Sequence, residues 1–271
     1  MMTPPELPHS ISREGLIGLA PGTPALSIDG LVSGYGNMEV LHGIDLRLAR
    51  GQSLCIIGPN GSGKSTILRS IYGLADIRAG QVIANGHDIT WMRPSAKLQR
   101  SRIAYVPQES SVFPDMTVEQ NLRLGGFLMQ RSTQAAKAAE AVMDQYPILG
   151  KRRRHVASLL SGGERRLLEI ARVMMMDPEI LLLDEPSIGL SPISVEEIFE
   201  LFAHLQHDLG KTLLIVEQNA RKALEFADIA YVLTAGRLVL AGKGKDLLQD
   251  RRVGRLFLGG NPELVEIEQV L

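Results

Sequence analysis

A glycine-rich segment near the start of the chain constrains the fold more than any other feature of the sequence. Residues 58–65 read Gly-Pro-Asn-Gly-Ser-Gly-Lys-Ser and fit the pattern G-x-x-x-x-G-K-[S/T]. An apolar run at 54–57 precedes them, and 67–72 follow with the apolar spacing of a helix. In a strand–loop–helix unit, backbone N–H groups and the helix N-terminus can surround a phosphate. The sequence therefore predicts a nucleotide-phosphate site on an α/β core.

Two acidic residues follow a second apolar run and are candidates for chemistry at this site. The run 180–183 leads directly into Asp184 and Glu185. Beside a phosphate loop, Asp184 would hold Mg²⁺ directly or through water, together with the hydroxyl of Ser65. Glu185 would orient or deprotonate an attacking water, while Lys64 would reach the β- and γ-phosphates. These residue types in this order favour nucleotide hydrolysis.

The segment 160–164, which reads Leu-Ser-Gly-Gly-Glu, predicts a second anion site at a helix start. Ser161 is a residue type that caps helices, and the free N–H groups of the first turn lie at the positive end of the helix dipole. Without the phosphate loop this segment would be an ordinary capped helix start. With that loop present, the anion-binding interpretation is favoured.

Length, charge and hydropathy limit the class of protein. Of the 271 residues, 45% are hydrophobic and 22% are charged, so the chain can bury a large core. A formal net charge of -1 gives no support to a nucleic-acid surface, and we interpret the basic cluster 151–155 as a solvated helix face. The single cysteine, Cys55, excludes an internal disulfide. No apolar segment approaches the roughly 18 residues of a membrane span, so we expect any membrane role to be exercised from the water side.

Apolar patterning gives the outline of the fold. Alternation at 26–31 and 44–48 predicts half-buried strands, and residues 115 to about 173 are mostly helical in pattern. Residues 1–24 contain five prolines and predict a disordered leader, and 261–271 are expected to form a C-terminal tail. Three continuous apolar runs predict strands buried on both faces of a parallel sheet, namely 54–57, 180–183 and 213–216.

Together these motifs resemble the ATP-hydrolysing subunit of an ABC transporter. Residues 160–164 are similar to the signature of that family, whose commonest form ends in Gln, and 187–192 are similar to its interface-crossing segment. The resemblance implies a P-loop NTPase core of the ABC type, spanning 25–260, with an antiparallel β-subdomain and an inserted helical subdomain at about 112–175. It also implies a head-to-tail dimer, because the signature of one subunit meets the γ-phosphate bound to the other.

The resemblance assigns ATP and Mg²⁺ as cofactors and gives roles to individual residues. Tyr35 would stack on adenine, Gln108 would sense Mg²⁺ or the attacking water, and the catalytic pair would be Glu185 and Gln218. The metal ligands would be Ser65, Gln108 and Asp184. The residues that complete the partner's site would be Ser161, Gly162, Gly163 and Glu164. The residues expected to bind ATP within the subunit are Tyr35, Gly58, Pro59, Asn60, Gly61, Ser62, Gly63, Lys64, Ser65, Thr66 and Gln108.

Gln218 departs from the common pattern of the family, in which most members place a histidine. Glutamine can donate a hydrogen bond to a phosphate but cannot become cationic. Two hypotheses compete: a degenerate, slow site, or a subfamily that normally uses glutamine. The second has support, because 216–220, 112–122 and 257–260 resemble the second ATP-binding subunit of high-affinity branched-chain amino-acid importers.

That branch implies a function and a set of partners. The chain would power uptake of branched-chain amino acids from the cytoplasmic face of the inner membrane, as a peripheral subunit. Permease subunits would dock near 110–122, a second ATPase would complete the dimer, and a substrate-binding protein would act indirectly, with no nucleic-acid partner. The alternatives are a urea or short-amide importer ATPase, a soluble ABC ATPase outside transport, and a non-hydrolysing nucleotide sensor.

Overall fold

The computed structural model describes residues 13–257. The strands are β1 Leu26–Tyr35, β2 Met38–Leu48, β3 Ser53–Ile57, β4 Asp76–Ala84, β5 His87–Asp88, β6 Ile103–Val106, β7 Ile180–Asp184, β8 Thr212–Val216, β9 Ile229–Thr234 and β10 Arg237–Lys243. The α-helices are α1 Arg13–Leu19, α2 Lys64–Tyr72, α3 Pro94–Ser101, α4 Val118–Gly125, α5 Ser132–Gln145, α6 Pro147–Lys151, α7 Gly162–Met174, α8 Pro192–Ala203, α9 Ala220–Phe226, α10 Gly244–Leu248 and α11 Arg251–Phe257. Short 3₁₀ and π turns occupy Ala157–Leu159 and His204–Asp208.

The larger sheet has the strand order β10-β9-β3-β8-β7-β6. Its strands pair in parallel except for β10, which runs antiparallel to β9. The three apolar runs of the sequence form β3, β7 and β8, and every residue of these strands is buried. The prediction of a parallel sheet buried on both faces is therefore confirmed.

Alternate residues of the central strands face two separate cores. Leu54 and Ile56 pack into a core shared with β1, β2 and α2, whereas Cys55 and Ile57 pack into a core shared with α7, α8 and α9. This follows from the period of two along a strand. Each central strand therefore holds helices or a second sheet on both of its faces.

The smaller sheet is antiparallel, with the order β2-β1-β4-β5. Residues of β2 alternate in burial from Ile44 to Leu48, so that one side packs on the larger sheet and the other faces outward. This sheet confirms the predicted antiparallel β-subdomain. Near the end of the described residues, β9 and β10 form a hairpin that turns at Ala235 and Gly236.

Helices α4–α7 form a third cluster with its own apolar core, within the segment where the sequence predicts helices. The helix α4 begins with a capping box: the Thr117 hydroxyl accepts from the Gln120 N–H at 3.2 Å, and the Gln120 side chain accepts from the Thr117 N–H at 2.8 Å. The core residues of the cluster include Val118, Leu122, Ala139, Leu149, Leu168 and Ala171.

The structure differs from the sequence-based expectation for part of the leader. Residues 13–19 form α1, and Leu16 is buried in the core beneath the antiparallel sheet. The Gln52 side chain donates to the Leu19 carbonyl at 2.9 Å and fastens the end of this helix. The five prolines of residues 1–24 led to the prediction of a disordered leader. They lie before and after the helix in the sequence and do not interrupt it. Residues 1–12 and the predicted tail 261–271 lie outside the described residues.

Candidate functional site

The phosphate-loop motif joins β3 to α2 at the carboxyl end of the larger sheet. A Cβ atom at Gly58 would lie 2.1 Å from the Leu233 carbonyl oxygen, so a larger residue does not fit there. Gly63 caps α2 with a φ of +101°, a conformation that L side chains rarely adopt. The Gly236 N–H donates to the Ser62 carbonyl at 2.8 Å and holds the loop against the β9–β10 turn. Glycine is thus required where the loop meets its neighbours.

Lys64 folds back over this loop. Its ammonium donates to the carbonyls of Gly58 at 2.9 Å and Pro59 at 3.1 Å, and only 4% of the residue is exposed. Burial lowers the pKa of Lys64, while the nearby carboxylates Glu185 and Asp184 oppose that shift. Phosphate oxygens entering the loop can replace the carbonyls as acceptors and restore a full charge partner to the ammonium.

Asp184 and Ser65, two predicted metal ligands, are in direct contact. Asp184 is fully buried at the end of β7 and accepts from the Ser65 hydroxyl at 2.7 Å. Its other oxygen accepts from the Tyr105 hydroxyl at 2.9 Å. Burial and the charge of Asp184 raise the pKa of Tyr105, so this phenol stays protonated and remains a donor. The sequence interpretation missed Tyr105, which lies on β6 next to β7.

Glu185 lies immediately beyond β7 in an unusual backbone conformation. Its φ is +45°, and its N–H donates to the Val216 carbonyl at 2.8 Å. The Gln108 amide donates to its carboxylate at 2.9 Å. Burial raises the pKa of Glu185, Lys64 lowers it, and Asp184 raises it further. Positive φ values at non-glycine residues cluster at active sites, where the surrounding structure holds them.

The Gln108 side chain therefore donates to the predicted base and, among the described residues, makes no hydrogen bond to Ser65 or Asp184, the other two predicted metal ligands. Among the described residues its side chain has one hydrogen bond, the one to Glu185. This position is compatible with sensing the attacking water, one of the two roles that the resemblance implies. Its role as a metal ligand stays a prediction.

Gln218 lies exposed beyond β8, one strand from Asp184 in the sheet. Its N–H donates to the carboxylate of its neighbour Glu217 at 3.1 Å. The same carboxylate binds the backbone and side chain of Ser187. The sequence interpretation assigned no role to Glu217, although a charged residue directly after a continuous apolar run was a visible signal.

Three further ATP-loop residues and Tyr35 occupy different environments. Asn60 is exposed, whereas Ser62 and Thr66 are buried within the loop and the first turn of α2. Tyr35 ends β1, and its hydroxyl lies close to the Arg69 guanidinium, whose pKa is raised by the phenols of Tyr105 and Tyr35. Adenine stacking by Tyr35 stays a prediction.

The signature segment begins α7. The Ser161 hydroxyl accepts from the Glu164 N–H at 3.1 Å, and the Glu164 carboxylate accepts from the Ser161 N–H at 2.9 Å. Glu164 therefore completes a capping box at the position where the family signature commonly carries Gln. Ser161 and Gly162 are exposed, and Gly163 is buried against Ser194. Within residues 13–257, no hydrogen bond connects this segment to residues 58–65.

Another face of α7 holds the segment that follows Gln108. Arg166 and Glu169 form a buried ion pair at 2.7 Å. Arg166 also donates to the carbonyls of Pro107 at 3.2 Å and Gln108 at 3.1 Å. Glu169 accepts from the Ser110 hydroxyl at 2.8 Å and from the Ser111 N–H at 3.0 Å. The sequence interpretation missed this pair; opposite charges three residues apart on a helix were the available signal.

The segment 110–122 has a rigid base and an exposed apolar tip. Asn121 is fully buried; its amide accepts from the Phe113 N–H at 2.8 Å and donates to the Phe113 carbonyl at 3.0 Å. The Phe113 ring is half exposed, with the Arg172 guanidinium 5.8 Å from its centroid.

In the basic cluster 151–155, Arg153 forms ion pairs with Glu119 and Glu140.

Asp184 at the end of β7 and Ser65 in the first turn of α2 offer the type of atoms that bind a magnesium ion. Ser65 and Asp184 present a hydroxyl and a carboxylate 2.7 Å apart, and oxygen is the ligand that Mg²⁺ prefers. In residues 13–257 there is no group of three or more His, Cys, Asp or Glu side chains able to hold a metal by itself. The remaining ligands would therefore come from water and from nucleotide phosphates, as is usual for Mg²⁺.

A glycine loop, a strand-end Asp-Glu pair and a capped signature helix on this two-sheet core define a class of nucleotide-binding protein. A sequence model of the family described as ABC transporter matches residues 41–188, more than half of the chain. The chain belongs to this family as an ATP-binding subunit.

Individual relatives narrow the comparison. The high-affinity branched-chain amino acid transport ATP-binding protein BraG of Pseudomonas aeruginosa is 39% identical over 235 residues, covering 87% of this chain and 100% of the relative. The probable branched-chain amino acid transport protein LivF of Archaeoglobus fulgidus is 38% identical, covering 84% and 96%. The lipopolysaccharide export protein LptB of Escherichia coli K12 is 34% identical, covering 86% and 97%.

Solved structures support the same fold. The ADP conformation of MJ1267, an ATP-binding cassette of an ABC transporter, has a TM-score of 0.78 at 29% identity and covers 88% of this chain and 100% of its own. CbiO1 of Clostridium perfringens has a TM-score of 0.77 at 26% identity, covering 92% and 100%. Within the described part of the chain, no helix is both long enough and apolar enough to cross a membrane.

Proposed function

We propose that this protein hydrolyses ATP to power an importer of branched-chain amino acids. The observation that carries the proposal is identity of 38–39% to two proteins named for branched-chain amino acid transport, over nearly their full lengths. Identity to the lipopolysaccharide-export relative is lower, at 34%. The segments 112–122 and 216–220, which resemble the importer branch, support the same choice.

The chain's own residues would divide the work of phosphoryl transfer among them. Lys64 would exchange its two loop carbonyls for phosphate oxygens, and Ser65 with Asp184 would hold Mg²⁺. The bound metal would neutralise charge on the phosphates. Glu185, whose pKa burial raises and which Gln108 orients, would accept a proton from the attacking water. The donor set and its burial support these assignments.

The proposed active unit is a head-to-tail dimer with a second ATPase subunit. The exposed N-terminus of α7 at Ser161 and Gly162 makes no hydrogen bond to the chain's own phosphate loop among residues 13–257, and this arrangement supports a site shared between subunits. The helix start offers N–H groups and positive dipole charge to a γ-phosphate on the partner. Two such contacts would close the dimer around two ATP molecules.

Permease subunits are the proposed partners of residues 110–122, at the cytoplasmic face of the inner membrane. The half-exposed Phe113 and the buried Asn121 support this surface, because an apolar side chain on a rigid base can anchor a partner helix. Movement of the docked helix would reach Gln108 through Ser110 and Ser111, which α7 holds together with Gln108. A substrate-binding protein would complete the importer.

The test measures uptake in cells that lack the chromosomal copy of the gene and carry a plasmid copy. We expect radiolabelled leucine uptake with the wild-type chain and with Glu196→Gln, and background uptake with Lys64→Ala. Uptake of labelled urea and acetamide serves as the comparison. If Lys64→Ala abolishes urea or acetamide uptake but leaves leucine uptake intact, the protein belongs to a urea or short-amide importer instead. Intact uptake of all three would contradict an importer, and mass spectrometry of proteins co-purified from native membranes would then identify the machinery.

A further inference from the structure

Glu217 is a buried carboxylate to which the proposed chemistry gives no role. It follows β8, is 1% exposed, and its N–H donates to the Ile56 carbonyl at 3.2 Å. One carboxylate oxygen accepts from the Ser187 N–H at 3.0 Å. The other accepts from the Ser187 hydroxyl at 2.8 Å, the Gln218 N–H at 3.1 Å and the Asn219 N–H at 3.4 Å.

These hydrogen bonds are what makes burial of the Glu217 charge tolerable. Lys222, a cation on the following helix α9, pairs with Glu196 and Glu225 instead. Burial raises the pKa of Glu217, while the bonds from Ser187 and from the following backbone lower it. The carboxylate therefore needs its donors, and the two segments that supply them are held in place by it.

The two segments line the same cavity. The lining of this cavity, whose volume is about 460 Å³, includes Ile188 and Leu190 of the first segment and Gln218 and Asn219 of the second. Ile188 is 42% exposed, so the first segment is accessible to a second molecule. Ser187 and Glu217 also line this cavity, and the hydrogen bonds between them join the two segments.

We propose that Glu217 is a positioning residue that links the partner-facing segment 187–192 to Gln218. A partner subunit that contacts the segment would fix the position of the Ser187 backbone. The Glu217 carboxylate, which binds both residues, would in turn fix the position of Gln218 beside the γ-phosphate. One carboxylate thus makes phosphate contact dependent on dimer contact. This inference rests on the proposed roles of Gln218 and of residues 187–192.

The test is steady-state ATP hydrolysis by the full chain with Mg²⁺. In Glu217→Gln the side chain keeps its shape, but its NH₂ must face the N–H of either Ser187 or Gln218. We expect kcat to fall about tenfold with KM within about twofold of wild type. We also expect Gln218→Ala to lower kcat, and the double variant to be no slower than Gln218→Ala alone, because both changes remove one function.

A matched control separates positioning from general destabilisation. Glu196→Gln makes the same substitution in the same cavity wall and should leave kcat and KM at wild-type values, since Glu196 pairs at the surface with Lys222. If Glu217→Gln does not fold, Ser187→Ala removes only the hydroxyl bond and should show the same non-additivity with Gln218→Ala.

The outcomes distinguish the two layers of the proposal. Suppose that Gln218→Ala lowers kcat. A wild-type kcat in Glu217→Gln, or effects that multiply in the double variant, would then overturn the link and leave the proposed function intact. Wild-type rates in both single variants would overturn the role of Gln218 and the link together.

Discussion

Glu185 combines three properties that a base for water activation needs. It is buried, it is held by Gln108, and its backbone lies at a φ of +45° fixed by a hydrogen bond to Val216. Burial raises its pKa toward neutrality, which makes it a better proton acceptor than an ordinary surface carboxylate. The substitution Glu185→Gln removes the basic oxygen while keeping the shape.

We predict that Glu185→Gln binds ATP with wild-type affinity but loses turnover by on the order of 10²-fold or more. Phosphate release measures turnover, and equilibrium titration with a fluorescent ATP analogue measures affinity. Glu196→Gln is the matched control and should keep both properties. Turnover close to wild type in Glu185→Gln would show that another group takes the proton.

Lys97 is a second informative residue, although it lies outside the site. It is fully buried on α3, donates to the Ile71 carbonyl at 2.5 Å, and burial lowers its pKa to about 8, while Asp88 opposes the shift. The ordinary value is 10.5, so the unfolded chain binds more protons than the folded chain between pH 8 and 10.5. The contribution of Lys97 to the free energy of unfolding therefore rises with pH across this interval.

We predict that the wild-type chain gains on the order of 2 kcal/mol from Lys97 between about pH 7.5 and about pH 9.5, and that Lys97→Met lacks this gain. Urea unfolding at the two pH values measures the free energy for both proteins. The difference between their pH slopes isolates Lys97 from other titrating groups. Equal pH slopes for the two proteins would mean that the Lys97 amine has the same pKa in the folded chain as in the unfolded one.

Among the elements, the central strands and the site loop are those that the sequence determines locally. The runs 54–57, 180–183 and 213–216 are continuous because both faces of each strand are buried, and they form β3, β7 and β8. The loop at 58–65 follows from glycine chemistry and the strand before it. Asp184 and Glu185 are placed at the sheet edge by the end of their own strand.

Contacts between elements could not be predicted, because they depend on strand order. Tyr105 reaches Asp184 only because β6 lies beside β7, and Glu217 reaches Ser187 only because β8 lies on the other side of β7. Apolar periodicity gives the faces of a strand but not its neighbours. The helix α1 was missed for a related reason, since Leu16 is held by tertiary contacts and not by local pattern.

The ion pair between Arg166 and Glu169 on α7, which holds the segment after Gln108, can be tested by substitution. We predict that Arg166→Met destabilises the chain by about 3 kcal/mol, because it leaves the Glu169 carboxylate buried without its ion pair, and that Arg166→Met with Glu169→Met costs less than the single change. Urea unfolding measures the free energies.

The control for this prediction is an exposed ion pair on another helix. Arg221→Met breaks the surface pair with Glu225 and should change the free energy of unfolding by less than about 1 kcal/mol. A double variant as unstable as the sum of both single changes would contradict the view that unpaired charge causes the loss. Faster hydrogen exchange of the Ser111 amide in Glu169→Gln would report release of the segment itself.

For the molecule as a whole, the separation of the signature from the phosphate loop leads to a prediction about assembly. The Glu185→Gln chain is expected to retain ATP, so we predict that two copies of it form a dimer when ATP is present. Light scattering measures the mass of this dimer. Adding Ser161→Arg places a long side chain at the exposed start of α7 and should abolish that dimer. Ser132→Arg, at the exposed start of α5, is the control and should dimerise normally. If Ser161→Arg also dimerises, the two subunits meet through another surface.

The two cores that share the central strands limit how the gene for this protein can change. Leu181 and Leu183 face one core, while Ile180 and Leu182 face the other. Inserting or deleting a single codon within 180–183 would exchange both sets and turn Asp184 away from Ser65. We therefore expect these strands to change by substitution, whereas the loop between α4 and α5, where Phe127, Gln130 and Arg131 are exposed, can vary in length. Length differences among descendants of this gene should accordingly fall in its loops.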